Sequence, residues 1–330
     1  MLNQVLEKLL NSQNLTFTES RLAIDEILTD ADPHQTAAFL ALMRAKGESV
    51  EELSGVIAAM RSCMTPVPLS CPVLDIVGTG GDGAHTVNIS TGAAILAAAC
   101  GVKVAKHGNR SVSSQSGSAD VLEALGIEIH KKPDEIKALI EEIGISFIFA
   151  PDYHPAMLKI KEVRKRLKVR TLFNLIGPLL NPASPDYLMI GVADPQLLKT
   201  MAQILLSQKV KRALVFHGAG LDELTTIGPA EILEVSEEGI KAFHLDPQEL
   251  GFAPCAVDDL KGADAMTNAQ LLIDVLKGKA GPIADTLILN AAVAVYLYGI
   301  APTVKQAVQI VKECIQNNKA IEQLNLWRQS

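Results

Sequence analysis

Apolar residues recur every three or four positions through about the first 65 residues: Val5, Leu6, Leu9 and Leu10, then Ile24, Ile27 and Leu28, then Phe39, Leu40 and Met43, then Val56, Ile57 and Met60. That spacing predicts helices and no strand. Asp32 followed by Pro33 reads as a helix start, and Gly47 as a stop. Three prolines between Thr65 and Pro72 end the helical region. From Val73 the pattern changes to short β-rich runs at 73–77, 102–105, 145–150, 187–193 and 212–218, separated by helical stretches such as 91–100 and 133–143. The alternation predicts an α/β fold, with a largely parallel central sheet flanked by helices and a smaller all-helical domain. Ligands of such sheets sit beyond the carboxyl ends of the strands, so those loops are where chemistry is expected. The segment 285–327 reads as two packing helices parted by Gly299–Thr303.

Composition narrows the function classes. The chain has 330 residues, 48% of them hydrophobic, enough for a sizeable core without disulfides or structural metal. Thirty Lys and Arg against 37 Asp and Glu give a net charge of −7, which argues against a protein that coats nucleic acid. Five scattered cysteines contain no Cys-x-x-Cys pair, so a zinc site is not expected and a reducing cytoplasm is. The N-terminus lacks the basic start, apolar run and cleavage site of a signal peptide. The most apolar stretches, 93–100 and 287–297, fall short of the ~20 residues that cross a bilayer. A cytoplasmic enzyme of small molecules, with neither nucleic acid nor membrane as partner, is the expectation.

Five segments carry candidate chemistry. Gly78–Gly83, GTGGDG, follows the first strand and superficially matches both a dinucleotide fingerprint and half a P-loop. Ala84 and His85 stand where a P-loop needs Lys and Ser or Thr, and Lys106 follows the second strand where a ribose-binding acid would be required. What survives is a glycine loop whose N–H groups can approach an anion, with Asp82 facing a sugar hydroxyl or magnesium. Asn88–Thr91 opens a helix that is apolar all round, so its N-terminus can seat a phosphate or be capped by its own Ser and Thr. Lys106–Asp120 packs Lys, His, Asn, Arg and five serines behind a buried strand, enough to surround several phosphate oxygens. Asp222 and Glu223 follow the strand at 212–218 and supply hard oxygens of the kind magnesium takes together with substrate phosphates. In the basic stretch 159–170, a helix over 156–167 places Arg164 inside the apolar arc of Met157, Ile160, Val163 and Leu167. An inward arginine is costly unless it meets an anion or snorkels out, and periodicity leaves the two readings even.

The motifs GTGGDGAHTVNIST, KHGNRSVSSQSGSADVLEALG, YHPAM, VRTLFNLIGPLLNP and GLDE together resemble the anthranilate phosphoribosyltransferases of tryptophan synthesis, in order from about Leu74 to Glu223. The resemblance implies a helical domain at 1–68, to which about 153–182 returns, and an α/β phosphoribosyl-binding domain at 69–152 and 183–330. It implies a homodimer through the helical part. Phosphoribosyl pyrophosphate would contact Gly78, Gly81, Asp82, Thr86, Asn88, Ile89, Ser90 and Thr91, and then Lys106, His107, Gly108, Asn109, Arg110, Ser111, Val112, Ser113, Ser114 and Ser118. Anthranilate would meet Gly78, Asn109 and Arg164, with His107 and His154 lining the aromatic pocket. The cofactor Mg2+ would use Ser90, Asp222 and Glu223. The chain departs from the family pattern at Val87, where Phe is usual, at Glu162, where Pro is common, and at Lys168, where Gly is common. The implied reaction displaces pyrophosphate from ribose C1 by the anthranilate amine, which is already neutral in the physiological range. Catalysis would then rest on charge neutralisation of the leaving group by magnesium, Lys106 and backbone N–H groups, and on alignment. Two alternatives are a pyrimidine nucleoside phosphorylase of related architecture, which would not need the Asp222–Glu223 pair, and a non-catalytic nucleic-acid-binding relative, which should be basic and eroded in these loops.

Overall fold

Helix starts in the first part of the chain are set by capping side chains. Asp32 accepts the His34 N–H, with Pro33 at the first helical position, and Ser49 and Glu52 cap each other's backbone reciprocally. The computed structural model describes residues 1–29, 32–111 and 115–330. The chain divides into two units, 1–66 with 150–182, and 67–149 with 183–330.

The first unit is helical. It contains α1 (Leu2–Leu10), α2 (Phe17–Thr29), α3 (Pro33–Lys46) and α4 (Val50–Ser62), with core residues Ile24, Phe39, Leu40, Met43 and Val56 drawn from the predicted apolar stripes. Glu52 is fully buried and ties α4 to the rest. It accepts N–H groups of Leu15 at 2.8 Å and Ser49 at 2.7 Å, and the Lys46 ammonium at 2.9 Å.

The second unit begins with β1 (Leu74–Gly78), α5 (Ile89–Ala99), β2 (Val104–Gly108), α6 (Ser118–Ala124), α7 (Pro133–Glu142) and β3 (Ile145–Phe149). The chain then supplies α8 (Ala150–Tyr153) and α9 (Met157–Leu167) to the helical unit. It continues the α/β unit with β4 (Tyr187–Gly191), α10 (Leu197–Ser207), β5 (Arg212–Gly218), β6 (Ala230–Ser236) and β7 (Gly239–Leu245). Four helices close it: α11 (Ala265–Leu276), α12 (Pro282–Tyr298), α13 (Val304–Gln316) and α14 (Lys319–Arg328). Among the described residues the sheet has seven strands in the order β3-β2-β1-β4-β5-β6-β7. The strands from β3 to β5 pair in parallel, and β6 and β7 add an antiparallel hairpin.

Two expectations are corrected in detail. The hairpin adds two strands that the hydrophobic pattern does not predict. The segment 285–327 holds three helices, because Asn318 takes the left-handed conformation (φ 61°) and breaks what reads as one helix. The core sits between the sheet and α5, α12 and α14. Leu272 and Leu287, both fully buried, each contribute about 1.5–3 kcal/mol by leaving water. Their methyls press on Gly92 of α5, where a Cβ would stand 2.8 Å from Leu272. Packing of this kind fixes α5 rigidly, with its N-terminus at the carboxyl edge of the sheet.

Candidate active site

β1 is followed in sequence by β2 on one side of it, while β4 lies on the other, so the carboxyl ends of β1 and β4 form the switch point where α/β sheets hold ligands. The last residues of the two strands are glycines in register, Gly78 opposite Gly191. Asp222 lies directly over them. A Cβ at Gly78 would come 2.2 Å from its Oδ2, and one at Gly191 1.7 Å from its carbonyl oxygen. Gly218 and Leu221 exchange backbone hydrogen bonds of 3.1 and 2.9 Å, and this tight turn after β5 delivers Asp222 and Glu223 to the switch point. The glycine loop wraps the same spot. Its Gly80 N–H donates to Asp222 Oδ2 at 2.6 Å, and Gly80, Gly81 and Gly83 have φ of 70°, 86° and 73°, which side chains rarely adopt. Asp82 accepts the Ala84 N–H at 3.0 Å.

The N-terminus of α5 faces this cluster. Asn88 is its N-cap, yet its side chain makes no bond to the helix's own N–H groups. The Ser90 N–H donates to Glu223 Oε1 at 3.2 Å, and the Thr91 hydroxyl is buried with no protein partner. Ile89 is buried, and Thr86 forms an isolated bridge with Lys261. Lys106 is turned inward: only 2% exposed, it donates to the Ile76 carbonyl at 2.7 Å and to Ser90 Oγ at 3.2 Å. Burial pushes its ammonium down, against the pull of Asp75 and Glu223. Its ammonium is thus satisfied from within the α/β unit, with Ser90 standing between it and the glycine loop's side of the cluster.

The loop after β2 is organised by an acid that is not among the expected site residues. Asp120 accepts the N–H groups of Ser111 at 3.0 Å and Gly117 at 2.8 Å. Arg110 pairs with Asp120 and Glu123 and lies over the Phe149 ring at 5.5 Å, so it braces the loop from outside. The Asn109 carbonyl accepts the Ser118 hydroxyl at 3.2 Å, closing the loop onto α6. Gly108 ends β2, and the His107 N–H donates to the buried Asp75 at 3.2 Å. Val112, Ser113 and Ser114 lie outside the described residues.

The two acids at this edge are electrostatically strained. Burial, and then the charge of Asp82, push the Asp222 carboxyl up to about 7. Glu223, raised by desolvation and by Asp222, goes up to about 8. Among the described residues no three His, Cys, Asp or Glu side chains form a metal cage. Two carboxylates held apart on separate backbone donors fit magnesium completed by substrate oxygens, the way that ion is usually bound.

In the helical unit, α9 places Ile160 inward and Met157, Val163, Arg164 and Leu167 half-buried, while Lys161, Lys165 and Arg166 are exposed, as the 100° spacing requires. The Arg164 guanidinium lies over Phe173 at 5.5 Å, burial pushes its pKa down, and no carboxylate among the described residues pairs with it. His154 is buried and held below its ordinary value by desolvation. Lys168 ends α9 in the left-handed conformation (φ 54°), which accounts for glycine being common there, and Glu162 reaches Arg166 at 3.8 Å on the surface.

Comparison with known proteins shows the family. Residues 70–321 match the model of a glycosyl transferase family α/β domain, and residues 3–64 that of the family's helical bundle domain. The chain is 47% identical over 328 residues to the anthranilate phosphoribosyltransferase of Chlamydia felis, covering 99% of this chain and 96% of that protein. It resembles the crystal structure of the Thermus thermophilus enzyme of the same name with a TM-score of 0.92 at 39% identity, covering 98% of each chain. It also resembles the Saccharomyces cerevisiae enzyme in complex with PRPP and Mg, with a TM-score of 0.90 at 28% identity over 98% of this chain and 96% of that one.

Proposed function

The chain belongs to the glycosyl transferase family of the anthranilate phosphoribosyltransferases, and from that premise we propose that it transfers the 5-phosphoribosyl group of phosphoribosyl pyrophosphate to the amine of anthranilate. The C1–oxygen bond to pyrophosphate breaks, the C1–nitrogen bond forms, and the amine loses a proton to give N-(5-phosphoribosyl)anthranilate. One observation carries the reading. A glycine loop, a helix N-terminus left uncapped by its own N-cap side chain and an electrostatically strained acidic pair meet at one sheet edge. The same pair favours a pyrophosphate substrate over the free phosphate that a nucleoside phosphorylase handles.

Residues 78–91 and 106–118 are the proposed diphosphate and ribose contacts, with backbone N–H groups of the glycine loop and the dipole of α5 meeting the phosphates. Lys106 orients the Ser90 hydroxyl from beneath. Ser90, Asp222 and Glu223 would hold magnesium, which when bound neutralises the departing pyrophosphate. Arg164, a half-buried cation stacked on an aromatic ring and with no carboxylate partner among the described residues, is proposed to bind the carboxylate of anthranilate, with Gly78 and Asn109 as further contacts. Because the amine is already nucleophilic, alignment and charge neutralisation suffice without a strong base.

Dimerisation through the helical unit is part of the proposal, supported by the exposed Leu10 (62%) and Leu22 (45%) there. A cytoplasmic location is supported by five cysteines that are all free. No helix among the described residues is long and apolar enough to cross a membrane. The test of the activity is loss of anthranilate fluorescence on addition of phosphoribosyl pyrophosphate and magnesium, abolished by EDTA. Fluorescence that persists with all components present would refute it.

A further inference from the structure

The first turn of α11 reaches the ligand-facing end of α5 through one side chain. Asn268 is 2% exposed, and both ends of its amide are engaged. Its Oδ1 accepts the Ala263 N–H at 2.7 Å, and its Nδ2 donates to Asn88 Oδ1 at 2.9 Å. The backbone donor at one end determines which way the amide points, so the other end can only donate. Asn88 in turn donates from Nδ2 to the Ser116 carbonyl at 3.1 Å. Four polar groups thus form a chain from the start of α11, through the N-cap of α5, to the serine-rich loop.

The consequence lies in what Asn88 does not do. An asparagine at an N-cap ordinarily turns its side-chain oxygen onto an N–H in the first helical turn. Asn88 makes no such bond: its oxygen is turned to the Asn268 amide at 2.9 Å, with the Ser116 hydroxyl a longer second donor at 3.4 Å. In the same turn the buried Thr91 hydroxyl has no partner, an independent sign that this end is arranged for a ligand. The segment carrying Asn268 is also laced to the glycine loop's exit. Val87 N–H donates to the Leu260 carbonyl and Gly262 N–H to the His85 carbonyl, both at 2.9 Å. Gly262 leaves no room for slippage, since a Cβ there would stand 2.6 Å from Asn268 Oδ1 and 2.9 Å from the Val87 Cα.

We propose that Asn268 is a positioning residue for phosphoribosyl pyrophosphate: it holds the Asn88 side chain away from the N-terminus of α5 and so keeps that terminus open to the substrate's phosphates. The inference rests on the phosphoribosyl-transfer reading above. Asn268→Asp keeps the acceptor for Ala263 and removes the donor to Asn88, while Asn268→Ala removes both.

Steady-state kinetics with each substrate varied separately tests the role. Both variants should raise KM for phosphoribosyl pyrophosphate about tenfold, with kcat and KM for anthranilate within about twofold of wild type, the pattern of a lost ground-state contact to one substrate. A KM for phosphoribosyl pyrophosphate that stays at the wild-type value in a folded variant overturns the role, as does a parallel rise in both KM values. Failure of both variants to fold would assign Asn268 to the core and equally overturn it. The wild-type protein in the same series separates the two ideas. Wild type without turnover sinks the reading of function, whereas active wild type with unaffected variants sinks the positioning role alone.

Discussion

Glu52 in the helical unit and the Asp222–Glu223 pair in the α/β unit are both carboxylates withdrawn from water, and the protein treats them oppositely. Burial pushes Glu52 up, but the Leu15 N–H, the Lys46 ammonium and the Ser49 N–H outweigh it and leave the group below the usual carboxylate range. The backbone N–H groups that Asp222 and Glu223 receive are too little to offset burial and the neighbouring acids, Asp82 beside Asp222 and Asp222 beside Glu223, and the two rise to about 7 and about 8. A charge fully answered by its own chain holds the fold together. A charge left short of partners is what the proposed magnesium would complete.

The contrast is broken most sharply by removing the strained pair. Asp222→Asn with Glu223→Gln is expected to lower magnesium-dependent kcat/KM at least about a thousandfold, while thermal melting without ligand stays at or above the wild-type midpoint. A double variant that melts far earlier would show the pair to be structural. The opposite signature is expected from Glu52→Ala, which leaves Lys46 and two N–H groups buried without their acceptor. It should cost about 3 kcal/mol in urea unfolding of the helical unit without changing KM in the protein that remains folded.

The pH dependence of the Glu52 contribution has a definite sign. Its folded-state pKa is depressed, so its stabilisation is fully present above the ordinary glutamate value of 4.5 that the unfolded chain has, and is lost as pH falls through the lower folded value. Acid titration of wild type against the variant should therefore converge only below that point. The smallest expected effect concerns Arg164, stacked on Phe173 in the helical unit. Arg164→Ala should raise KM for anthranilate about tenfold to thirtyfold and leave KM for phosphoribosyl pyrophosphate unchanged. Equal shifts in both constants would count against a carboxylate contact.

Much of this is legible in the residues, for identifiable reasons. The run 212–218 is strand β5 over the same bounds, because its apolar and β-branched content is continuous and a glycine closes it. The inward side of α9, including Arg164, follows from helical geometry alone. The β6–β7 hairpin is not legible, since β7 is mostly exposed and carries almost no burial pattern, and Glu231 and Glu234 interrupt β6. The loops' residue types announce phosphate chemistry, but the direction of Lys106 is invisible in them. Whether an ammonium reaches outward or turns under Ser90 is decided by the neighbouring strand and helix, which spacing does not encode. Asp120 and Asn268 escape a reading of the sequence for a similar reason. Each acts by gripping backbone or a distant side chain, and neither is marked by its neighbours as a site residue.

The fit of Asp222 over the ends of β1 and β4 reaches beyond the acid itself. Gly78 and Gly191 touch it from two different strands, one of them in a segment with no sign of chemistry in its sequence. A single methyl group added at Gly191 would displace the backbone that presents the acid, since its Cβ would stand 1.7 Å from the Asp222 carbonyl oxygen. Genetic variation at an inconspicuous strand position would then look like loss of Asp222 itself, and a screen reading only the obvious loops would misattribute the defect.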